Sequence, residues 1–210
     1  MHIPDGFLDA KTWMTTTAAG AGVLAYALKK SQVQLPGKKV PMIALVGSFI
    51  FAAQMINFPV AGATSGHFLG GTLASILFGP LVGVIIMAAV LIIQAFLFQD
   101  GGVTVLGANI VCTGVIGCYA GYGVYRAGMK LLGERFRFAV TFLAGWCSIV
   151  AAAAGVAALL VWSGYPAQSV VSAMVGWHSL IGIGEGTITA LVAAYLAERK
   201  VEIPREAEAA

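Results

Sequence analysis

The chain has 210 residues, of which 59% are hydrophobic and 10% are charged, and its formal net charge is +3. A soluble domain carries about 25% charged residues, so this chain has too few charges to cover a surface that faces water. The composition excludes an ordinary soluble globular domain. It predicts an all-α integral membrane protein, organised as a single transmembrane domain over residues 1–210.

Hydrophobic runs, taken in chain order, predict seven transmembrane helices, since a crossing needs about 20 apolar residues. The longest run, residues 40–99, contains no Asp, Glu, Lys or Arg. As a helix it would measure about 90 Å, which is roughly three crossings. Pro59 and Pro80 divide it into three pieces. The predicted spans are 12–28, 40–58, 64–78, 81–98, 103–125, 138–162 and 170–197.

The basic residues set the predicted orientation. With seven spans, eleven of the twelve Lys and Arg side chains fall on one side of the membrane, and only Lys11 falls on the other. The positive-inside rule makes the crowded side cytoplasmic. We therefore predict that the N-terminus and residues 1–11 lie outside, and that 198–210 form a cytoplasmic tail. Asp5 and Asp9 precede the first span where a signal peptide carries basic residues, so we expect that span to be retained.

Polar side chains within the spans or at their ends concentrate toward the predicted outer face. Such groups are costly in a bilayer and usually face the interior of a helix bundle. They suggest an outward-facing polar chamber, although hydrogen bonds between helices explain any single amide equally well. Glu185 lies deeper, and a structural hydrogen bond explains it as well as a functional role does. The outer group consists of Gln54, Asn57, His67, Gln94, Gln99, Asn109 and His178.

The N-terminus offers a chelate for a metal ion. The free amine of Met1, the backbone amide nitrogen of His2 and Nδ1 of the His2 ring can bind one ion in unstrained five- and six-membered rings. Nickel(II) and copper(II) favour such tetragonal nitrogen sites. A second imidazole would complete the square, and His67 is predicted to lie nearer the outer surface than His178. The pattern predicts a metal site, with 1–11 as its chelating segment, although a solvated His2 and a hydrogen-bonded His67 are the simpler alternatives.

Three stretches of the sequence resemble signatures of the NikM/CbiM family. They are MHIPDGFLD at 1–9, NFPVAGATSGHFLGG at 57–71 and GWHSLIGIGEG at 176–186. The resemblance implies a multi-pass protein of a prokaryotic cell membrane that has no enzyme activity. It would be the substrate-specific subunit of an energy-coupling-factor importer for nickel or cobalt ions. It further implies that Met1, His2 and His67 bind the ion, and that an extra N-terminal helix precedes a six-helix core.

Six further polar residues are candidates for orienting these ligands through hydrogen bonds. They all lie in the predicted chamber or directly below it. The candidates are Asn57, Gln94, Asn109, Ser65, His178 and Glu185.

The resemblance also implies partners, because the chain has no G-x-x-x-x-G-K-[ST] phosphate loop with which to bind ATP. A family member works with a transmembrane coupling subunit, two ATPase subunits and often a small accessory membrane subunit, all within the lipid bilayer. Ni²⁺ or Co²⁺ is then the substrate, and neither a catalytic cofactor nor a nucleic acid is expected.

Two alternatives are weighed against this interpretation. A self-sufficient secondary metal-ion transporter or channel predicts charged relays through the membrane, and only Glu185 offers one. A serine hydrolase built on Ser65 and His178 lacks the Gly-x-Ser pattern of intramembrane proteases, since Gly62 lies three residues before Ser65.

Overall fold

The computed structural model describes residues 1–31, 40–59 and 65–199, which are mainly helical. The α-helices are α1 Ala10–Ser31, α2 Val40–Gln54, α3 Gly71–Phe78, α4 Pro80–Leu97, α5 Leu106–Asn109, α6 Gly117–Leu132, α7 Arg137–Trp162 and α8 Ala167–Glu198. A π-helix, Ile110–Ile116, joins α5 to α6, and a 3-10 turn, Glu134–Phe136, precedes α7. Two short antiparallel strands, β1 Phe58–Pro59 and β2 Ser65–Gly66, pair with Phe58 opposite Gly66.

Short-range sequence signals set several of the helix ends. Asp9 Oδ1 accepts a hydrogen bond from the Thr12 N–H at 2.7 Å, which satisfies an otherwise unpaired donor in the first turn of α1. Pro80 begins α4, where its missing N–H costs nothing. Gly133 ends α6 with a φ of 73°, in the left-handed region that favours glycine. The boundaries of these three helices therefore follow from local sequence.

Three helical stretches among the described residues are long and apolar enough to cross a bilayer: α4, residues 134–162, and α8. This finding agrees with the predicted class of membrane protein. Helix α1 and the continuous run from α5 to α6 coincide with the predicted spans 12–28 and 103–125. Of the predicted cytoplasmic tail, residues 200–210 lie outside the described part of the chain.

The predicted third span, 64–78, is wrong as a single helix. Helix α3 has only eight residues, which is about 12 Å at the helical rise. Gly70 has a φ of 83°, and a Cβ placed on it would lie 2.8 Å from the side chain of Ile50. Because the left-handed backbone at Gly70 interrupts the helix, residues 67–70 form an irregular segment instead. We call residues 67–70 the His67 loop.

Glycines allow close helix packing around the His67 loop. A Cβ on Gly145 of α7 would lie 2.9 Å from the Cα of Gly186 in α8. A Cβ on Gly117 would lie 2.9 Å from the side chain of Leu69, and one on Gly121 would collide with a side chain of α3. Gly117 and Gly121, which have small-x-x-x-small spacing, thus serve close packing.

Candidate metal centre

The N-terminal segment folds back into the protein. Met1 is fully buried, and His2 is only 3% exposed. The Met1 amine donates a hydrogen bond to the Oγ of Ser65 in β2, at 3.0 Å. Further along the segment, the ring of Phe7 stacks on that of Tyr165 with 6.1 Å between centroids. The first residues of the chain are therefore part of the protein interior.

The last residue of α5 and the loop between α4 and α5 anchor this segment. Asn109 accepts from the Ile3 N–H at 2.8 Å and donates from Nδ2 to the Ile3 carbonyl at 3.1 Å. Asp5 accepts from the backbone N–H groups of Val103 and Thr104, at 3.1 and 2.8 Å. Both anchors lie within three residues of position 2, so they fix where the amine and the first imidazole sit.

The structure brings together the two histidines that the sequence assigns to the metal. The rings of His2 and His67 stack with 4.5 Å between centroids and an angle of 22° between planes. His67 Nδ1 lies 2.6 Å from the Phe68 carbonyl, and a carbonyl can only accept, so this nitrogen carries the hydrogen. The Nε2 of His67 is therefore the nitrogen with a free lone pair, and it is buried with no hydrogen-bond partner in the described chain.

The stacked arrangement is not itself a coordination geometry. Each nitrogen lone pair lies in the plane of its ring, so two nearly parallel rings do not point at one ion. His2 Nδ1, the nitrogen that the predicted chelate uses, instead lies 3.0 Å from Oδ1 of Asp100. Chelation through Nδ1 therefore requires the His2 ring to turn away from Asp100, about side-chain torsions that have several staggered minima.

Burial controls the charge of the groups at the N-terminus. It lowers the pKa of the Met1 amine well below the usual value of 8.0, although the charge of Asp100 opposes the shift. Burial has the largest single effect on Asp100 and disfavours its charged form, but the hydrogen bonds with His2 and Asn57 and the nearby positive charges together outweigh it, so the pKa of Asp100 is lowered. A neutral amine beside an ionised carboxylate is a charge state suited to binding a cation.

Three of the six residues predicted to orient the ligands act on the N-terminal segment. Ser65 and Asn109 contact it directly, as described above. Asn57 donates from Nδ2 to the second carboxylate oxygen of Asp100, at 3.1 Å. It therefore reaches the His2 ring through that carboxylate.

Glu185 and His178 both project from α8 but differ in what they contact. Glu185 accepts hydrogen bonds from the backbone N–H groups of Leu69 and Gly70 at 2.6 and 2.9 Å, and so holds the His67 loop. His178 Nδ1 lies 2.7 Å from the carbonyl of Met174 in its own helix. Its buried Nε2 has no hydrogen-bond partner among the described residues, although the ring lies within electrostatic range of the Met1 amine.

Gln94 is buried near the end of α4. Neither atom of its side-chain amide has a hydrogen-bond partner in the part of the chain that the structure describes. Its backbone carbonyl accepts from the N–H of Asp100 at 3.1 Å. Gln94 therefore supports the loop that carries Asp100, and no hydrogen bond within the described residues links its side chain to the proposed ligands.

Sequence reasoning missed Asp100 as a site residue. The available signal was its position, because it ends the charge-free run 40–99 at the predicted outer face. The role of Gln54 was also missed: its Nε2 donates to the carbonyl of Leu69 at 2.6 Å and so secures the His67 loop from α2. Its buried position on a hydrophobic helix gave no indication of that partner.

Within residues 1–31, 40–59 and 65–199, side chains alone do not form a metal site. Among the residues that the structure describes, no three His, Cys, Asp or Glu side chains gather where they could share an ion. Any site at the N-terminus must therefore use main-chain nitrogen as well as imidazole. The buried amine of Met1 is such a donor, and it makes the chemistry of the N-terminus decisive.

Comparison with known proteins gives matches over nearly the whole chain. Residues 2–203 match the CbiM family model, described as the cobalt uptake substrate-specific transmembrane region. The chain is 42% identical over 97% of its length to a NikMN protein of Archaeoglobus fulgidus, of which it covers 68%. It is 34% identical over its full length to the fused nickel transport protein NikMN of Rhodobacter capsulatus, and spans 66% of that protein.

Two solved structures of transport proteins are similar to this chain in fold. A transition metal transporter crystal structure superposes with a TM-score of 0.91 at 34% identity, over 96% of this chain and 95% of the other. The S component of a bacterial energy-coupling-factor transporter, at 17% identity, superposes with a TM-score of 0.51 over 78% of this chain and 95% of its own. The second likeness shows a shared fold. Together with the family match, these findings show that the chain is a membrane protein of the NikM/CbiM metal-transport family.

Proposed function

We propose that this chain is the substrate-binding subunit of an energy-coupling-factor importer, and that it captures nickel(II) or cobalt(II) at the outer face of a prokaryotic cell membrane. The observation that carries the proposal is the buried Met1 amine, placed against Ser65 and beside two adjacent imidazoles. Burying an amine costs free energy of desolvation. A function as a metal ligand explains why the chain places it there. The names of the relatives support metal transport, and the fold shared with an S component supports this type of importer.

The proposed ligands are four nitrogens: the Met1 amine, the His2 amide nitrogen, His2 Nδ1 and His67 Nε2. The chelate places the amide nitrogen between the other two donors, so the fourth position is adjacent to both the amine and the His2 ring. The closeness of the His67 ring to that of His2 supports its assignment to this position. A square of nitrogens favours low-spin nickel(II) over cobalt(II). Because the amide loses its proton, the complex carries one net positive charge, and the carboxylate of Asp100 balances it.

The contacts of Glu185 support this proposal over the rival interpretation, a secondary transporter with a charged relay. Glu185 is the acid on which such a relay would depend. Both of its oxygens accept hydrogen bonds from the backbone N–H groups of the His67 loop. Backbone N–H groups do not relay protons, so a relay would require Glu185 to give up these two hydrogen bonds. We therefore propose that inward transport depends on the coupling subunit and the two ATPase subunits.

Uptake experiments test this assignment. The chain purified from cells grown with both metals should contain nickel or cobalt, and vesicles should take up the metal with ATP when the coupling and ATPase subunits are present. Vesicles that hold the chain alone should bind metal without accumulating it. Accumulation by the chain alone, driven by an ion gradient, would instead establish the secondary transporter.

We propose seven crossings, with the N-terminus outside and residues 1–11 forming the chelating segment of a single transmembrane domain. The third crossing would combine the non-helical residues 65–70, which can span at most about 20 Å, with the roughly 12 Å of α3. The maximum length of the two parts together is close to the roughly 30 Å of a bilayer core. The C-terminal tail, 198–210, would then be cytoplasmic.

Cysteine labelling tests this orientation. Lys11 and Arg135 are both exposed, and a membrane-impermeant thiol reagent added to intact cells should label Lys11→Cys but not Arg135→Cys. The unsubstituted chain, which has buried Cys112 and Cys118 and half-buried Cys147, supplies the background. Labelling of both variants only after lysis, or of Arg135→Cys in intact cells, would contradict the seven-crossing topology.

A further inference from the structure

The His67 loop has no regular secondary structure, yet its backbone is held by side chains from two different helices. Glu185 of α8 accepts the N–H groups of Leu69 and Gly70, and Gln54 of α2 donates to the carbonyl of Leu69. These side chains are fully or almost fully buried. Buried backbone N–H and C=O groups need hydrogen-bond partners. In the His67 loop these side chains supply the hydrogen bonds that neighbouring backbone groups supply in a helix or a sheet.

Glu185 is itself fixed in space by the packing of α8 on α7. The next residue, Gly186, has no room for a side chain, since a Cβ there would lie 2.5 Å from the Phe142 carbonyl. The close contact between Gly186 and Gly145 lies at the same level. The position of the Glu185 carboxylate is therefore set by the packing of α8 on α7. If α8 shifted at this point, the carboxylate would move relative to the backbone N–H groups of Leu69 and Gly70.

The two hydrogen bonds lie close to the proposed ligand in sequence and in space. Leu69 is two residues from His67, and the intervening Phe68 carbonyl accepts the Nδ1–H that leaves Nε2 free. A shift of the backbone at residues 68–70 would therefore change both the position and the tautomer of the His67 ring. An interaction of this kind, one step removed from a ligand, typically changes metal affinity by about 10–100-fold.

We propose that Glu185 is the positioning residue that sets His67 Nε2 in place as the fourth ligand, and that α8 controls metal retention through this carboxylate. The proposal rests on the proposed function for its metal, but its structural content concerns the His67 loop alone. Movement of α8, for example on docking to a partner subunit, would break the two hydrogen bonds and withdraw His67 from the ion.

The test uses three variants of the full chain in lipid. Glu185→Ala removes both acceptors, whereas Glu185→Gln keeps the shape and one acceptor oxygen. Thr189→Val is the matched control, because Thr189 is buried one turn further along α8 and its Oγ1 has no hydrogen-bond partner in the described chain. Hydrogen exchange at the amides of Leu69 and Gly70, and the ¹⁵N signals of the His67 ring, are measured before nickel is added.

Glu185→Ala should speed exchange at both amides by at least about tenfold, as expected for buried donors that lose their acceptor. Glu185→Gln should do so at one of the two, and Thr189→Val at neither. The ring signals of His67 should shift in the Ala variant. Unchanged exchange at both amides, or unchanged ring signals in Glu185→Ala, would overturn the proposal.

Nickel is then titrated into the same samples. The affinity should fall by about 10–100-fold in Glu185→Ala and less in Glu185→Gln, with a changed visible absorption spectrum of the bound ion. An Ala variant that loses thermal stability but keeps the affinity and spectrum of the native chain would reduce Glu185 to a structural role. If the native chain bound no nickel, the proposed function would fail, while the exchange and ring signals would still decide whether Glu185 positions His67.

Discussion

Adding one glycine before Met1 should lower ATP-driven nickel uptake, and the affinity of the buried site for nickel, by more than about a hundredfold. Mutation of a residue that only orients a ligand typically lowers metal affinity by about 10–100-fold. The added glycine displaces a ligand itself, so its effect should be larger. Met1 is fully buried, with its amine 3.0 Å from Ser65 Oγ. An extra residue therefore either displaces the N-terminal segment or buries a new amine where no room exists.

The glycine-extended chain also offers an alternative nickel site, which the experiment must distinguish from the buried site. With histidine in the third position, an amine, two amides and an imidazole can fill the square without His67. Nickel bound in this way would sit on an exposed tail, so binding without ATP-driven uptake is the expected outcome. Acetylation of Met1 removes the donor without creating this tail site and should abolish tight binding outright. A glycine added after Ala210 is the control and should change nothing.

The number of protons released on nickel binding is a second quantity that the same titrations measure. Burial lowers the pKa of the Met1 amine well below 8.0, which favours the neutral form that binds a metal ion. Binding should then release fewer protons per ion than it would if the amine and the His2 amide both had to lose one. The affinity should fall more steeply once the pH drops below the folded pKa of the amine. Equal uptake by the native, extended and acetylated chains would show that Met1 is not a ligand.

The substitution His67→Ala should likewise remove high-affinity nickel binding while the protein still folds. The His67 ring makes its hydrogen bond to the adjacent residue, Phe68, so its loss does not detach one helix from another. Since Nε2 is the only donor that the His67 ring supplies to the proposed square, we expect a loss of more than about a hundredfold. Calorimetry and the visible absorption spectrum of the bound ion measure it.

His178→Gln is the matched control for this prediction. His178 is also a fully buried histidine whose Nδ1 bonds a nearby carbonyl and whose Nε2 has no hydrogen-bond partner in the described chain. It lies on α8, near the backbone of Ser65, but supplies no nitrogen to the proposed square, so its replacement should cost little affinity. A large loss at His178 together with tight binding in His67→Ala would reassign the fourth ligand to His178.

The sequence by itself determined the class of protein and much of the course of its helices. A chain with 10% charged residues and a 60-residue run free of charge cannot cover itself with polar groups, and this follows from composition alone. Proline and glycine signals, as at Pro80 and Gly133, placed helix ends because they act through the local backbone. Met1 and His2 could also be predicted as ligands, since chelation by an N-terminal histidine depends on adjacent atoms, whereas His67 was predicted as a second imidazole and from the family resemblance; all three stay predictions.

Only the tertiary structure decided how those ligands are held. The contacts of Asn109 with Ile3, Asp100 with His2, and Glu185 with Leu69 join residues about 100 positions apart, and no local pattern encodes such pairs. The same holds for the short α3, where a left-handed Gly70 against Ile50 overrides a hydrophobic run that was predicted to be helical. Hydrophobicity measures how much a segment prefers lipid or core, whereas the backbone path inside the core depends on which neighbours occupy the space.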